Sequence, residues 1–360
     1  MSLIANVLLV LVASLLQAGM AFAQTPYPTP VEGDYIAEDF EFGTGETLDA
    51  LRIHYRTIGE LERDENGQAT NAVLIMHGTT GSGASLLRES FADVLFAPGG
   101  LLDAEEYFII LPDGVGHGES SKPSDGLRMD FPKYDYDDMV RAQYLMLTEG
   151  LGVNHLRLVM GTSMGGMHSW VWGYKYPDFM DAIMPLASLP TEIAGRNRML
   201  RKMIIDAIMA DPAWNEGEYD EKPVQGLTAA TYPLIFMVSS PLQYQKMAPT
   251  RQEAEAMLAS LVERFTGALD PNDTIYAVDA SRNYNPAPHL EKITAPLTAV
   301  NSADDQVNPP ELKILEKEIQ NVAKGKAVIL AITDDTRGHG SHTVAVLWSD
   351  HLRELLDASE

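Results

Sequence analysis

The sequence contains no cysteine among its 360 residues. That absence excludes disulfide bonds, catalytic thiols and thiolate metal sites. Basic residues are also scarce, since 26 lysines and arginines stand against 51 aspartates and glutamates, which gives a net charge of −25. A surface this acidic repels phosphate backbones and anionic lipid headgroups, so the composition argues against a nucleic-acid-binding protein.

Long hydrophobic runs are missing after residue 23, so no later segment is long and apolar enough to cross a bilayer. Residues 1–23 carry no charged side chain, and they end in the small-x-small sequence Ala21-Phe22-Ala23. This pattern is typical of a secretory signal peptide, although Lys and Arg are absent from its start. The alternative is an uncleaved membrane anchor. We expect cleavage, a periplasmic or secreted protein, and no stable membrane insertion afterwards.

With 45% hydrophobic residues, the chain can form a large α/β domain. Short apolar runs predict strands that are buried on both faces of a parallel sheet, and these runs cover residues 72–76, 107–111, 156–160, 181–187, 296–300 and 326–332. Intervening helical segments predict a mostly parallel central sheet with helices on both faces.

The alternation of strands and helices stops at residue 188 and returns near residue 286. An insertion between two strands of such a sheet lies over their carboxyl edge, where it excludes water and shapes a substrate pocket. We therefore divide the chain into a core, residues 24–187 and 286–360, and a helical cap insertion, residues 188–285.

A nucleophile motif follows one of the predicted strands. Gly161-Thr162-Ser163-Met164-Gly165 fits the G-x-S-x-G elbow, with the strand 156–160 before it and a helix after it. A strand that turns directly into a helix holds its central residue in a strained conformation, and the flanking glycines avoid clashes. Ser163 is thus the candidate nucleophile, and the Met164 N–H is a candidate oxyanion donor.

A glycine-rich loop, His77-Gly78-Thr79-Thr80-Gly81-Ser82-Gly83, follows the predicted strand 72–76. In acyl-transfer enzymes of this kind, such a loop supplies a second oxyanion donor, here the Thr79 N–H. The alternative is a plain loop between a strand and a helix.

A second glycine-rich loop covers residues 113–118 and superficially resembles a dinucleotide-binding motif. Its glycines follow the spacing G-x-G-x-G and no clear helix follows, so we predict no nucleotide site there. His117 in this loop is interpreted as a loop or supporting residue rather than a catalytic base. The sequence predicts no cofactor.

A serine nucleophile needs a base, and the base needs a carboxylate that fixes its tautomer. Ser163, Asp305 and His339 occur in the chain order Ser, Asp, His, and each lies just past a predicted strand. All three residues placed in this way indicate a catalytic site much more specifically than any one of them alone. We therefore predict these three residues as a catalytic triad.

Each triad partner has a neighbouring rival. Asp305 is preferred to Asp304 because an apolar anchor and a rigid proline exit, Val307 and Pro309, follow it. His339 is preferred to His342 because glycines on both sides allow a tight loop. We expect His342 at the start of the final helix. A metal site on the two histidines is not predicted, because no carboxylate motif such as H-E-x-x-H accompanies them.

Several motifs together resemble the homoserine O-acetyltransferase-like family of α/β hydrolases over about residues 52–355. They are Phe131-Pro132, Asp138-Met139-Val140, Gly161–Met167, Tyr176-Pro177-Asp178, Ala207-Ile208, Asp211-Pro212 with Trp214, Gly217 and Tyr219, Gly226-Leu227, Asp305–Pro310 and Gly338-His339. The resemblance implies the α/β-hydrolase fold, an acylated Ser163, Asp305 and His339 as its partners, and an oxyanion hole formed by the Thr79 and Met164 N–H groups.

One departure from the family concerns the cap. The family has an Arg three residues before the Ile of its Ala-Ile pair, implied to hold an amino-acid carboxylate, and this chain has Ile205 there. We therefore expect an exported serine acyl hydrolase that acts on a small-molecule ester. The alternatives are an O-acyltransferase and a catalytically inactive binding protein of the same fold. The sequence leaves a monomer and a homodimer open.

Overall fold

A computed structural model describes residues 25–360 and shows one central sheet of eight strands in the order β1-β2-β4-β3-β5-β6-β7-β8. The predicted signal peptide lies outside the described residues. The strands are β1 Val31–Glu41, β2 Thr47–Ile58, β3 Ala72–Met76, β4 Phe108–Pro112, β5 Leu158–Thr162, β6 Ile183–Leu186, β7 Leu297–Ser302 and β8 Gly325–Leu330.

Six strands, from β4 through β3 to β8, run parallel to their neighbours, while β1 and β2 pair antiparallel at one edge. Every residue of β3 and of β5 is buried, as expected for strands covered on both faces. The predicted class, a mostly parallel sheet in an α/β-hydrolase fold, is therefore confirmed.

Ten α-helices occur in the described part of the chain, and none of its helices is long and apolar enough to cross a membrane. They are α1 Ala92–Leu95, α2 Tyr136–Leu145, α3 Met164–Lys175, α4 Gly195–Met209, α5 Val224–Met237, α6 Pro241–Met247, α7 Arg251–Ala268, α8 Pro271–Asp279, α9 Ile314–Glu318 and α10 Ser349–Ala358.

The sheet separates two apolar layers because alternate residues of a strand point to opposite faces. Leu74 of β3 packs in one layer together with Trp170 of α3. Val73 and Ile75 of the same strand pack in the other layer, with Leu352 of α10. Burial on both faces fixes the strands rigidly, so the loops at their carboxyl ends start from defined positions.

Five helices, α4 to α8, occupy the chain between β6 and β7, within the segment predicted as a cap. Three of them, α4, α5 and α8, share a separate apolar cluster, which includes Ile208, Leu227 and Val278. Helix α5 contains Pro233 in its interior. Proline lacks an N–H and normally disfavours a helix interior, yet the buried face of α5 overrides this local preference. The domain boundaries themselves stay a prediction.

Candidate active site

The turn between β5 and α3 holds Ser163 at φ 55° and ψ −106°, a strained conformation for a residue other than glycine. The glycines on both sides are required by close backbone approaches. A Cβ on Gly161 would lie 2.3 Å from the backbone of Gly165, and a Cβ on Gly165 would lie 2.1 Å from the Met76 carbonyl oxygen of β3. The structure thus confirms the strained elbow expected from the G-x-S-x-G motif.

Ser163, His339 and Asp305 are brought together at the carboxyl edge of the sheet. His339 Nε2 lies 2.9 Å from Ser163 Oγ, and His339 Nδ1 lies 2.9 Å from Asp305 Oδ2. These residues reach this edge because they follow β5, β7 and β8. These strands run parallel and therefore end on the same side of the sheet. A hydroxyl, an imidazole and a carboxylate joined in this order have the geometry of a Ser-His-Asp triad.

Asp305 is completely surrounded by protein. Its carboxylate accepts hydrogen bonds from the Val307 N–H at 2.7 Å, from the Asn308 N–H at 3.1 Å and from Asn308 Nδ2 at 3.0 Å. Burial alone raises the pKa of Asp305, but the charge of His339 and the hydrogen bonds from His339 and Asn308 outweigh it, so the pKa lies below its usual value. The carboxylate is therefore ionised at neutral pH and can orient the imidazole.

The neighbouring Asp304 has a different set of partners. Its carboxylate accepts from Ser302 Oγ at 2.5 Å, from the Gly338 N–H at 2.9 Å and from Ser240 Oγ at 3.3 Å. It thus ties the loop that carries His339 to the end of β7. Asp304 supports the position of the histidine but does not touch its ring.

The prediction that His342 begins the final helix is wrong. The chain makes two 3₁₀ turns, Gly338–Thr343 and Ala345–Leu347, before α10 begins at Ser349. His342 Nδ1 lies 2.5 Å from the His339 carbonyl oxygen, to which it donates. Burial lowers the pKa of His342 to about 3, so this imidazole is neutral. No group of three His, Asp or Glu side chains in residues 25–360 is placed to hold a metal ion.

Two backbone amides near Ser163 are free to act as oxyanion donors. Among the hydrogen bonds between described residues, none is donated by the Thr79 N–H or the Met164 N–H. The Cβ of Ser163 lies 3.5 Å from where a Cβ on Gly78 would be, so the loop that bears Thr79 runs beside the nucleophile. Both N–H groups are thus available to a developing oxyanion.

Two buried histidines hold this loop from behind. The Nδ1 of His77 donates to the Gly78 carbonyl at 2.8 Å, while its Nε2 accepts from the Gly114 N–H at 2.9 Å. His117 Nε2 lies 2.9 Å from the Thr79 carbonyl oxygen. Burial lowers the pKa of both histidines, that of His77 to about 4. No role for His77 follows from the sequence, although its position directly before Gly78 is an available signal.

A cavity of about 320 Å³ opens beside Ser163 and His339. Its walls come from the core loops and from four of the five helices between β6 and β7, through Arg201, Leu234, Phe265 and Val278. An apolar, partly enclosed cavity beside a serine suits a small acyl compound. A parallel sheet that carries this arrangement at its carboxyl edge defines the α/β-hydrolase class.

Comparison with known proteins gives the same class. The family described as "alpha/beta hydrolase fold" matches residues 71–321, and the chain belongs to this family. The resemblance to its homoserine O-acetyltransferase-like members is also confirmed by the relatives that follow.

Two curated relatives carry acyltransferase names. A "Probable acyltransferase" from Methanothermobacter thermautotrophicus is 31% identical over 304 residues, which cover 84% of this chain and 90% of that protein. A homoserine O-acetyltransferase from Methanohalophilus mahii is 30% identical over 307 residues, which cover 76% of this chain and 62% of that protein.

Solved structures of both enzyme types share the fold. A homoserine O-acetyltransferase from Bacillus anthracis superimposes with a TM-score of 0.80 at 22% identity, covering 92% of this chain and 98% of that one. An acetylester hydrolase from Corynebacterium glutamicum superimposes with a TM-score of 0.79 at 21% identity, covering 91% of this chain and 96% of that one. At these identities the likeness establishes the fold alone.

Proposed function

We propose that this protein is a serine acyltransferase, which moves a small acyl group through Ser163 to a hydroxyl acceptor. The observation that carries the proposal is the chain of two 2.9 Å contacts from Ser163 to His339 and from His339 to Asp305. These contacts lie beside a cavity that can admit a substrate. Acyl transfer through serine needs all of these elements.

Each group has a defined task in this reaction. Ser163 Oγ attacks the acyl carbonyl while His339 Nε2 takes the hydroxyl proton, and the N–H groups of Thr79 and Met164 stabilise the oxyanion. His339 then protonates the leaving group, which departs and leaves an acyl ester on Ser163. His339 next removes a proton from the acceptor hydroxyl, whose oxygen attacks the acyl carbon. The bond between the acyl carbon and Ser163 Oγ then breaks, and His339 Nε2 returns the proton to Ser163 Oγ. Asp305 keeps the Nδ1 proton of His339 in place and stabilises its charged form.

We propose acyl transfer rather than hydrolysis because the relatives carry acyltransferase names, although the sequence alone favoured hydrolysis. A protein named as a probable acyltransferase matches 84% of this chain at 31% identity. Both reactions share the acyl-Ser163 intermediate. The names of the relatives therefore indicate only whether water or a hydroxyl compound accepts the acyl group.

Hydrolysis is the second candidate, and one residue favours it. Ile205 stands where the family resemblance implies a carboxylate-binding Arg. Ile205 is buried among apolar residues of α4, α5 and α8, and it does not line the cavity beside Ser163. Water needs no acceptor subsite, so loss of the family arginine is compatible with an ester hydrolase.

A partition experiment separates the two reactions. We expect para-nitrophenyl acetate, supplied with a panel of hydroxyl acceptors that includes homoserine, to yield more acetylated acceptor than free acetate. Product analysis by mass spectrometry provides the measurement, and Ser163→Ala is the blank. Free acetate as the only product with every acceptor would instead establish hydrolysis. Absence of nitrophenol release above the blank would reject both and leave a binding protein.

We also propose that residues 1–23 direct export and are then removed. Support comes from the uncharged apolar segment and its Ala21-Phe22-Ala23 ending. Expression with the native start in a bacterial host should give a periplasmic protein whose first residue is Gln24, as read by intact mass. Ala23→Leu should block cleavage, because the site requires a small residue there. A wild-type protein that keeps Met1 and sediments with membranes would indicate an anchor.

A further inference from the structure

A buried cation lies in the wall of the cavity beside Ser163. Arg201 belongs to α4, is only 4% exposed, and lines the same cavity as Ser163 and His339. The reaction described above assigns it no task. A charged group is rarely buried without a partner. The groups around the Arg201 guanidinium therefore indicate its role.

All protein partners of Arg201 are neutral. Nε donates to Asn197 Oδ1 at 2.9 Å, and Nη1 donates to Ser281 Oγ at 3.1 Å and to the Val278 carbonyl at 3.5 Å. The guanidinium also lies beside the buried hydroxyl of Tyr136, which is neutral as well. The hydrogen bonds between described residues include none from Nη2, and the ion pairs of residues 25–360 do not include Arg201. The guanidinium is held in position but lacks a counter-charge.

The cavity around Arg201 favours an anion. Its other charged lining residue is Arg88, and no Asp or Glu of the described residues lines it, although acids outnumber bases two to one in the sequence. An adjacent cavity of about 360 Å³ is different, since Asp270 and Asp273 line it together with Lys122. The absence of carboxylates is therefore specific to the cavity that contains Ser163.

We propose that Arg201 binds a carboxylate of the substrate, so that this enzyme selects acyl donors or hydroxyl acceptors that bear a negative charge. The proposal rests on the acyl-transfer function and names its substrate class. A planar guanidinium with a free N–H edge suits a carboxylate, and a charge-assisted hydrogen bond in a partly enclosed cavity is strong. Arg201 lies one helical turn before Ile205, so the anion site is distinct from the position at which the family resemblance implies an arginine.

Two matched substrate pairs test the charge preference. On the donor side, the para-nitrophenyl ester of glutaric acid is compared with the para-nitrophenyl ester of its monomethyl ester. On the acceptor side, γ-hydroxybutyrate is compared with its methyl ester, with para-nitrophenyl acetate as donor. We expect wild type to favour the charged member of one pair by about tenfold or more in kcat/KM, and the pair concerned shows which substrate carries the anion.

Substitutions at Arg201 should change this ratio of charged to neutral substrate. Arg201→Met should lower the ratio by about tenfold to a hundredfold, and Arg201→Lys should retain part of it. Ser281→Ala is the matched control, because it removes one hydrogen bond to Arg201 and keeps the charge. Equal ratios in wild type and Arg201→Met would overturn the proposal, since a purely structural role lowers both substrates alike.

A binding measurement keeps the proposal testable if Arg201→Met fails to fold or if no ester is turned over. Glutarate should bind the Ser163→Ala protein by calorimetry, glutaramide should not, and adding Arg201→Lys should weaken glutarate binding. Equal binding of glutarate and glutaramide would refute the anion site. Failure of wild type to turn over any ester would reject the acyl-transfer function instead, and the two outcomes are therefore distinguishable.

Discussion

Replacement of Ser163 with Ala should reduce kcat for para-nitrophenyl acetate roughly a millionfold, as loss of the nucleophile does in other serine enzymes. The substitution deletes one hydroxyl, whose only side-chain partner within residues 25–360 is His339 at 2.9 Å. Alanine also fits the backbone at φ 55° no worse than serine, so the melting temperature should stay close to that of wild type. Fixed-time activity assays measure kcat and thermal denaturation measures the melting temperature, each for wild type and Ser163→Ala.

A second serine in the same cavity offers a matched control. Ser85 lines the cavity, but its Oγ donates to the Ser82 carbonyl at 2.6 Å and has no histidine partner in the part of the chain that the structure describes. A fluorophosphonate probe should label wild type and Ser85→Ala and should leave Ser163→Ala unlabelled, because only a serine activated by a base reacts. Equal labelling of wild type and Ser163→Ala would place the nucleophile elsewhere.

Replacement of Asp305 with Asn hardly changes the volume of the side chain. It should nevertheless lower kcat about ten-thousandfold. The amide keeps the side chain within reach of His339 but removes the negative charge that stabilises the charged imidazole. It also no longer fixes the proton on His339 Nδ1, so Nε2 is less available to accept from Ser163. Steady-state kinetics with para-nitrophenyl acetate measure this loss.

Asp304→Asn is the control for this substitution, because Asp304 is adjacent in sequence and similarly buried. Its hydrogen bonds hold the loop that carries His339, through the Gly338 N–H and Ser302 Oγ. We expect a loss in kcat below about a hundredfold, from slight misplacement of His339. The free energy of unfolding in urea should fall by about 1–3 kcal/mol. A larger loss of kcat in Asp304→Asn than in Asp305→Asn would exchange the roles assigned to the two carboxylates.

Local signals carried most of what the sequence predicted about the site. The elbow around Ser163 is a local turn whose glycines are required by contacts with the turn itself and with β3, so the five residues can be recognised together with the strand before them and the helix after them. The strand predicted over residues 72–76 coincides with β3, while other strand limits moved by one or two residues. Buried parallel strands are readable because both of their faces require apolar side chains.

Features that depend on distant contacts could not be read in the same way. The limits of α5 do not follow from local rules, because Pro233 in its interior normally disfavours a helix. The position predicted for His342 was wrong because two 3₁₀ turns precede α10. The support given by His117 to the loop of Thr79 joins residues 38 positions apart in the chain. Such contacts follow from how loops meet at the sheet edge, and no sequence period encodes them.

By itself, the sequence determined the fold class, the nucleophile motif and the chain order of Ser163, Asp305 and His339, because these depend on short patterns and on the rule that parallel strands end together. The sequence also favoured Asp305 over Asp304, but the tertiary structure supplied the contact itself, since both carboxylates follow the same strand and differ in direction. Only the tertiary structure placed Arg201 in the cavity without a carboxylate partner, because a side chain's counter-charge depends on which distant segments fold against it.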